Sequence, residues 1–182
     1  NAVPLQLPIG SEDAFTGCID LVGMKAIMFS GDVTDVPEVT EIPGELAALA
    51  ADARDQMIQS LADLDDGIAA KYLEGQAIVE AELKAVIRKS TINVKMIPVL
   101  AGTALRNKGI HPLLDAVIDY LPSPADLPPV SGVDPRNTSE KLTRAPKNNE
   151  PFSALAFKIA MDEGRKVVFM RIFSGTIEAS SE

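Results

Sequence analysis

The sequence predicts an α/β chain carrying a β extension, on three observations. Short apolar runs of strand composition alternate with helical-period stripes through the first two thirds of the chain. A stretch rich in Pro, Ser, Asn, Asp and Lys then interrupts the pattern, and two runs of good β composition follow it. The 182 residues are 46% hydrophobic but only 4% aromatic, with no Trp, so the expected core is aliphatic.

Residues 4–9 alternate apolar and polar and end at Gly10, which predicts a short strand. Phe15 to Asp20 and Lys25 to Phe29 are two more strand candidates, with Leu21 to Met24 as a hairpin turn between them. Ser30-Gly31-Asp32 punctuates the chain, and a weaker extended stretch follows over Val36 to Ile42. Gly44 to Leu64 carries the longest helical pattern. Leu46, Leu49, Ala50, Ala53, Met57, Leu61 and Leu64 define its core face, and Glu45, Asp52, Asp55, Asp63 and Asp66 the opposite face. Ile68 to Leu73 continues that helix or begins a second one, closed by Gly75. Val79 to Lys89 is a further helix, with acids first and bases last as the helix dipole favours.

Met96 to Leu100 followed by Ala101-Gly102 has the signature of a buried strand. Ile110, Leu113, Leu114, Val117, Ile118 and Leu121 then form a clean amphipathic helix, stopped by Pro122 and Pro124. A strand, a small-residue loop and an amphipathic helix make the βα step of an α/β domain. Residues 122–150 read as an irregular interdomain linker. Phe152 to Ala160 and Lys166 to Phe173 are strands joined through Met161-Asp162-Glu163-Gly164-Arg165, too few to bury a core by themselves and so the start of a truncated β domain.

The net charge of −9 is unevenly spread. Residues 1–90 hold 16 acidic and 6 basic residues, a net of −10, and residues 91–182 hold 10 and 11, a net of +1. The acidic half would be repelled by a phosphate backbone, so a basic partner is expected for it. From charge alone, the acidic stripe is a solvated helix face. One cysteine, Cys18, excludes an internal disulfide and reads as a buried, inert thiol of a reducing compartment. With one His and one Cys far apart, no metal site is expected; no Ser-His-acid arrangement and no Gly-x-x-x-x-Gly-Lys-Ser/Thr loop occurs. His111 reads as a surface or capping residue. No catalytic residue is assigned. No run reaches the roughly 20 apolar residues of a membrane-spanning helix, no signal peptide is recognisable, and Asn1 is not a start Met. The chain is therefore read as an excised segment of a longer cytoplasmic protein, with no membrane partner.

A family resemblance goes further. The segment VPLQLPIGSEDAFTGCIDLVGMKAI resembles the stretch that follows the guanine-specificity motif in elongation factor G, a translational GTPase. IPGELAALAADARDQMIQSLADLDDGIAAKYLEG is similar to that family's long helix, and VLAGTALRNKGIHPLLDAVIDYLPSP to the end of its nucleotide domain. EPFSALAFKI with the later Arg171-Ile172-Phe173-Ser174-Gly175 resembles the opening of its β-barrel second domain. These segments follow one another in the family's order along nearly the whole chain.

The resemblance implies an α+β insertion subdomain over residues 1–93, set on the end of a P-loop GTPase domain. It implies that 94–121 are that domain's last strand and helix, 122–150 a linker, and 151–182 the truncated barrel strands. It further implies a parent that hydrolyses GTP with Mg2+ on the ribosome and drives translocation of transfer and messenger RNA. The phosphate loop, switches and guanine-specificity motif would all lie upstream, so the segment itself is expected to bind neither cofactor and to be inactive. Gly102, Thr103, Ala104 and Leu105 occupy the place of the family's last nucleotide motif, where a backbone N–H meets the guanine carbonyl. Thr103 stands for the usual Ser and keeps a hydroxyl; without the resemblance this is an ordinary strand-to-helix turn. Arg106 and Lys108 beside it lie either near nucleotide or ribosomal RNA or in a solvated loop. Asp52, Asp55, Asp63 and Asp66 would form the surface that meets the ribosomal stalk protein. The short Met161–Gly164 connection departs from the family's longer turn and leaves room for a paralogue. A recycling, termination or ribosome-protection GTPase, and a free-standing acidic interaction module, are the other readings. Unpaired barrel strands would let the segment self-associate.

Overall fold

A computed structural model describes residues 1–30 and 36–179. Gly31 and Asp32, expected to punctuate the chain, and residues 180–182 at its end lie outside the described residues. The fold is mixed α/β, with four α-helices and several small sheets among the described residues. It divides into two units, 1–121 and 122–182.

Unit 1 opens with two strands where the alternation predicts one. β1 (Ala2–Pro4) pairs in parallel with β6 (Ile97–Val99), whereas β2 (Gln6–Ile9) pairs antiparallel with β3 (Gly17–Asp20). The break falls at Leu5, which is buried and belongs to neither strand. Its N–H donates to the Val99 carbonyl at 2.9 Å, and its own carbonyl accepts from the Leu21 N–H at 3.0 Å. β4 (Lys25–Met28) and β5 (Glu38–Thr40) complete a four-stranded antiparallel sheet in the order β2-β3-β4-β5. The expected hairpin turn at 21–24 is held by Asp20, whose carboxylate accepts from the Val22 and Gly23 N–H groups, both at 3.0 Å.

The long helical pattern is broken near its end. A 3-10 turn, Gly44–Leu46, leads into α1 (Ala47–Ala62), and α2 (Asp66–Leu73) begins anew after Asp63 caps α1. The break has a local cause: Asp65 adopts extended backbone and its side chain accepts from the Gly67 and Ile68 N–H groups, an N-cap that starts a second helix. Ala50, Met57 and Leu61 are buried on the core face as the spacing predicts, whereas Leu49, at the edge of that stripe, is 57% exposed. α3 (Glu80–Ile92) buries Leu83, Val86, Ile87 and Ser90 against the same core. Glu82 reaches back to accept from the Val79 N–H, which helps start the helix.

α3 stops in a motif that ordinarily calls for glycine. The Lys95 N–H bonds the Ser90 carbonyl at 2.8 Å and the Val94 N–H bonds the Thr91 carbonyl at 3.0 Å, the two bonds of a Schellman stop. Val94 holds the left-handed position at φ 56° with its side chain in solvent. A β-branched residue there is strained by about 1–2 kcal/mol. Val94→Gly is expected to raise stability by about 1 kcal/mol, the relieved strain exceeding the entropy that glycine loses. A lower urea midpoint for the variant would contradict this account.

The βα step forms, but its apolar surface is not covered as its pattern requires. α4 (Ile110–Tyr120) buries Tyr120, while Leu113, Leu114, Val117, Ile118 and Leu121 are exposed. β6, expected to be a buried strand, leaves Ile97 and Val99 exposed because β1 is its one partner among the described residues. These surfaces flank an apolar groove of about 330 Å³ with Leu100, Pro98 and Ala116 in its wall.

In unit 2, the segment 122–150 is not the irregular linker its composition suggests. It contains the antiparallel hairpin of β7 (Val130–Asp134) and β8 (Asn137–Arg144). Pro135-Arg136 makes the turn, and the Asp134 carboxylate accepts from the Arg136 N–H at 2.8 Å. β8 is polar because most of it faces solvent. β9 (Ser153–Asp162) and β10 (Arg165–Ser174) form a second hairpin, longer than expected and bulged near Phe169. Glu163 at φ 45° and Gly164 at φ 80° close it as a two-residue turn, both in the left-handed region that such turns demand. Leu155, Phe157, Ile159 and Met161 of β9 are exposed.

Candidate functional site

Two places carry the residues that the sequence singles out. The first is the loop between β6 and α4. Gly102 leads into Thr103, whose backbone exchanges hydrogen bonds with Lys108 at 2.9 and 3.2 Å; Ala104 and Leu105 then form a 3-10 turn with Arg106. The loop is therefore a closed ring of backbone, with Leu105 at its tip almost fully exposed. Two glycines allow the closure. A Cβ on Gly102 would lie 2.9 Å from the Lys108 carbonyl oxygen, and one on Gly109, at φ 82°, would lie 2.6 Å from that of Ala101. The space beside Gly102 is thus taken by the chain's own backbone.

Side-chain contacts fasten the loop to β2 and to the connection between β2 and β3. Gln6, a buried polar residue, accepts from the Ala101 N–H at 3.2 Å. The Lys108 ammonium donates to the Phe15 carbonyl at 2.6 Å, and Arg106 pairs with Asp13 at 3.0 Å. The Lys108 contact is partly buried, whereas the Arg106–Asp13 pair lies in solvent. Gln6 and Asp13 carry no signal in the sequence, since their partners lie more than 90 residues away. His111 is exposed in the first turn of α4.

The second place is the acidic surface. Asp52, Asp55, Asp63 and Asp66 are all exposed, but they do not line one helix. Asp52 and Asp55 lie on α1, Asp63 is its cap, and Asp66 opens α2. Asp55 accepts from the Gln59 amide at 2.6 Å and the Tyr72 hydroxyl at 3.1 Å, which ties α1 to α2. The side chains of Asp52, Asp63 and Asp66 make no ion pair among the described residues, so their charge is open to solvent.

Asp65, between the named acids, acts with both carboxylate oxygens. Oδ1 caps α2 and Oδ2 accepts from the Lys89 ammonium at 3.0 Å. The Lys89 hydrogen bond, with the cap N–H groups, holds its carboxyl below the usual carboxylate range. A lowered folded pKa adds stability above the unfolded value, near 4, and that stability is lost as pH falls below it. Asp65→Asn keeps a capping side chain but loses the charge, and Lys89 is largely exposed, so the expected cost at neutral pH is under about 1 kcal/mol. The difference in urea midpoint between variant and wild type should shrink steadily as pH drops from 6 to 3; a constant difference would mean that the charge contributes nothing.

A third cluster joins α3 to the end of α4. Lys84 pairs with Glu80 at 3.1 Å and Asp119 at 3.3 Å, which raises its pKa above the ordinary lysine range. Burial pushes the Tyr120 hydroxyl up to about 12 and also raises Asp20. Lys84, Asp119, Tyr120 and Asp20, with Gln6 and Asp115, border a cavity of about 150 Å³. Cys18 is fully buried, and burial, with the Asp20 charge, pushes its thiol up to about 12, so it stays protonated and inert at neutral pH. Among the described residues, no group of three or more His, Cys, Asp or Glu side chains is placed to hold a metal, and no helix is long and apolar enough to cross a membrane.

No family model matches the chain. Among solved structures it is similar to a protein from Thermus thermophilus, with a TM-score of 0.66 and 22% sequence identity. The match covers 96% of this chain and 23% of that one, so the chain spans about a quarter of the length of its structural neighbour. At that identity the likeness is one of fold.

Proposed function

We propose that this chain is the accessory segment of a ribosome-dependent GTPase of the elongation factor G type, or of a paralogue, and that its acidic α1–α2 surface recruits the ribosomal stalk protein. In this reading residues 1–93 are the insertion subdomain, 94–121 the end of the GTP-binding domain, and 151–182 the beginning of a β-barrel. The two-residue turn at Glu163-Gly164, shorter than the family's usual connection, is what favours a paralogue. The parent would act in the cytoplasm, hydrolysing GTP with Mg2+ to move transfer and messenger RNA.

The observation that carries the reading is the solvent-open charge of Asp52, Asp63 and Asp66 beside Asp55 on a half-chain of net charge −10. Such a surface accelerates encounter with a basic partner and fixes its orientation. The uncovered apolar stripe of α4 also fits a strand and helix that belong to a larger sheet. In the loop 102–105, Thr103 and Ala104 carry small side chains, which would let a flat base edge approach the backbone in the intact parent, while Gly102 serves to close the loop on itself. GTP phosphates and Mg2+ would be held by residues outside this sequence. The segment would bind neither and would not turn over GTP.

Titrating the purified chain with the labelled C-terminal domain of the stalk protein tests the proposal. Saturable binding that weakens as salt rises is the expected result. No binding at low salt would overturn the recruiting role, and GTP turnover by the isolated chain would overturn the assignment as an accessory segment.

A further inference from the structure

The cavity of about 150 Å³ in unit 1 holds two buried polar side chains whose bonding capacity the protein does not fill. Gln6 and Tyr120 are 8% and 6% exposed, and both border it. Gln6 Oε1 accepts from the Ala101 N–H at 3.2 Å, which fixes the amide and makes Nε2 its free end. Among the described residues Nε2 donates to no protein group, and the Tyr120 hydroxyl has no hydrogen-bond partner. Neither atom is sealed inside protein. The hydroxyl feels the charges of Lys84, Asp20 and Asp119, which puts it among them. Buried polar groups are ordinarily paired, so two open ones on one cavity point to a polar occupant.

The charged groups say what kind. Three carboxylates, Asp20, Asp115 and Asp119, border the cavity against one ammonium, Lys84. Lys84 is already committed to Glu80 at 3.1 Å and Asp119 at 3.3 Å. Asp115 is exposed and has no ion pair among the described residues. Burial raises the Asp20 carboxyl, and a cation beside it would remove part of that cost. The described residues place no three acidic groups to hold a metal, so the cation that suits is organic, with several N–H donors to share among separate carboxylates. Nε2 of Gln6 can only donate, so the other end of the occupant must accept. An apolar cavity of this volume takes a molecule of about six carbon atoms, which sets the size.

We propose that this cavity binds a small protonated amino alcohol, its ammonium among Asp20, Asp115 and Asp119 and its hydroxyl against Gln6 Nε2 and the Tyr120 hydroxyl. Lys84 limits the occupant to a single positive charge, since a second would meet its own. Every wall lies within residues 1–121, so the inference stands apart from the stalk-binding proposal.

The test titrates ethanolamine hydrochloride into the full 182-residue chain at neutral pH and constant ionic strength. The side-chain amide of Gln6 and the backbone amide of Ala101 are the NMR reporters. Ethylamine, which lacks the hydroxyl, and ethylene glycol, which lacks the charge, are the comparison probes. Ethanolamine should give saturable shifts with a Kd of about 1 mM. Ethylamine should bind about fivefold more weakly, and ethylene glycol should not saturate. Tyr120→Phe should weaken ethanolamine about fivefold and leave ethylamine unchanged. Asp115→Asn, at an exposed position, should weaken both amines about threefold. If Tyr120→Phe does not fold, the two amines still test the hydroxyl contact and Asp115→Asn the ammonium contact. No saturable shift up to about 50 mM ethanolamine would overturn the site. So would ethylamine or ethylene glycol binding as tightly as ethanolamine, or an affinity that neither substitution alters.

Discussion

Replacing Leu61 with alanine is expected to lower the stability of residues 1–121 by about 3 kcal/mol. Leu61 has no exposed surface, and it sits where α1 meets the shared core of β1, β3 and α3 through Met57, Leu83 and Ile87. Removing its branched end leaves a void that the surrounding helices, fixed by their caps and cross-links, cannot close. Leu61→Met, which nearly conserves volume, should cost less than about 1.5 kcal/mol. The measurement is convenient because both tyrosines, Tyr72 and Tyr120, lie in this unit and the chain has no Trp. Tyrosine fluorescence during urea unfolding therefore follows unit 1 alone. A loss below about 1 kcal/mol for Leu61→Ala would mean that α1 is not packed as described.

Changing Asp52, Asp55, Asp63 and Asp66 together to lysine is expected to slow association with the stalk domain by about tenfold or more at low salt. Each change adds two charges, so the chain moves from −9 to −1. The effect should fall mainly on the association rate and shrink as salt is raised, because these are exposed charges acting at a distance. Stability should hardly change, apart from a small loss where Asp55 gives up Gln59 and Tyr72. An unchanged association rate would remove the acidic surface from the account of recruitment. It would leave the folding argument for α1 intact.

The periodic signals are the legible part of this fold. The helical stripe of α1 names Ala50, Met57 and Leu61, and all three are buried. The stripe of α4 gives the helix but not the burial, since periodicity says which residues share a face and not whether anything covers it. The acidic residues lie where spacing puts them, in solvent, but spacing alone runs them along one helix because it gives no weight to Asp65 as a cap. Polar composition hides the hairpin of β7 and β8: a strand exposed on both faces has no alternation to find, and its one cue is the turn chemistry of Asp134-Pro135. Nothing local could reveal Gln6 or Asp13, whose partners in the loop are distant in sequence and are brought near by the sheet.

Leu5 ties two sheets together. One extended segment is woven first into the parallel pair and then into the antiparallel sheet, and Leu5 bonds both at once. A slip of one residue would turn Val3 and Leu5 outward together and misalign both pairings in the same step. Neither sheet can therefore melt by itself, and unit 1 should unfold in a single cooperative transition rather than fraying from its first strand.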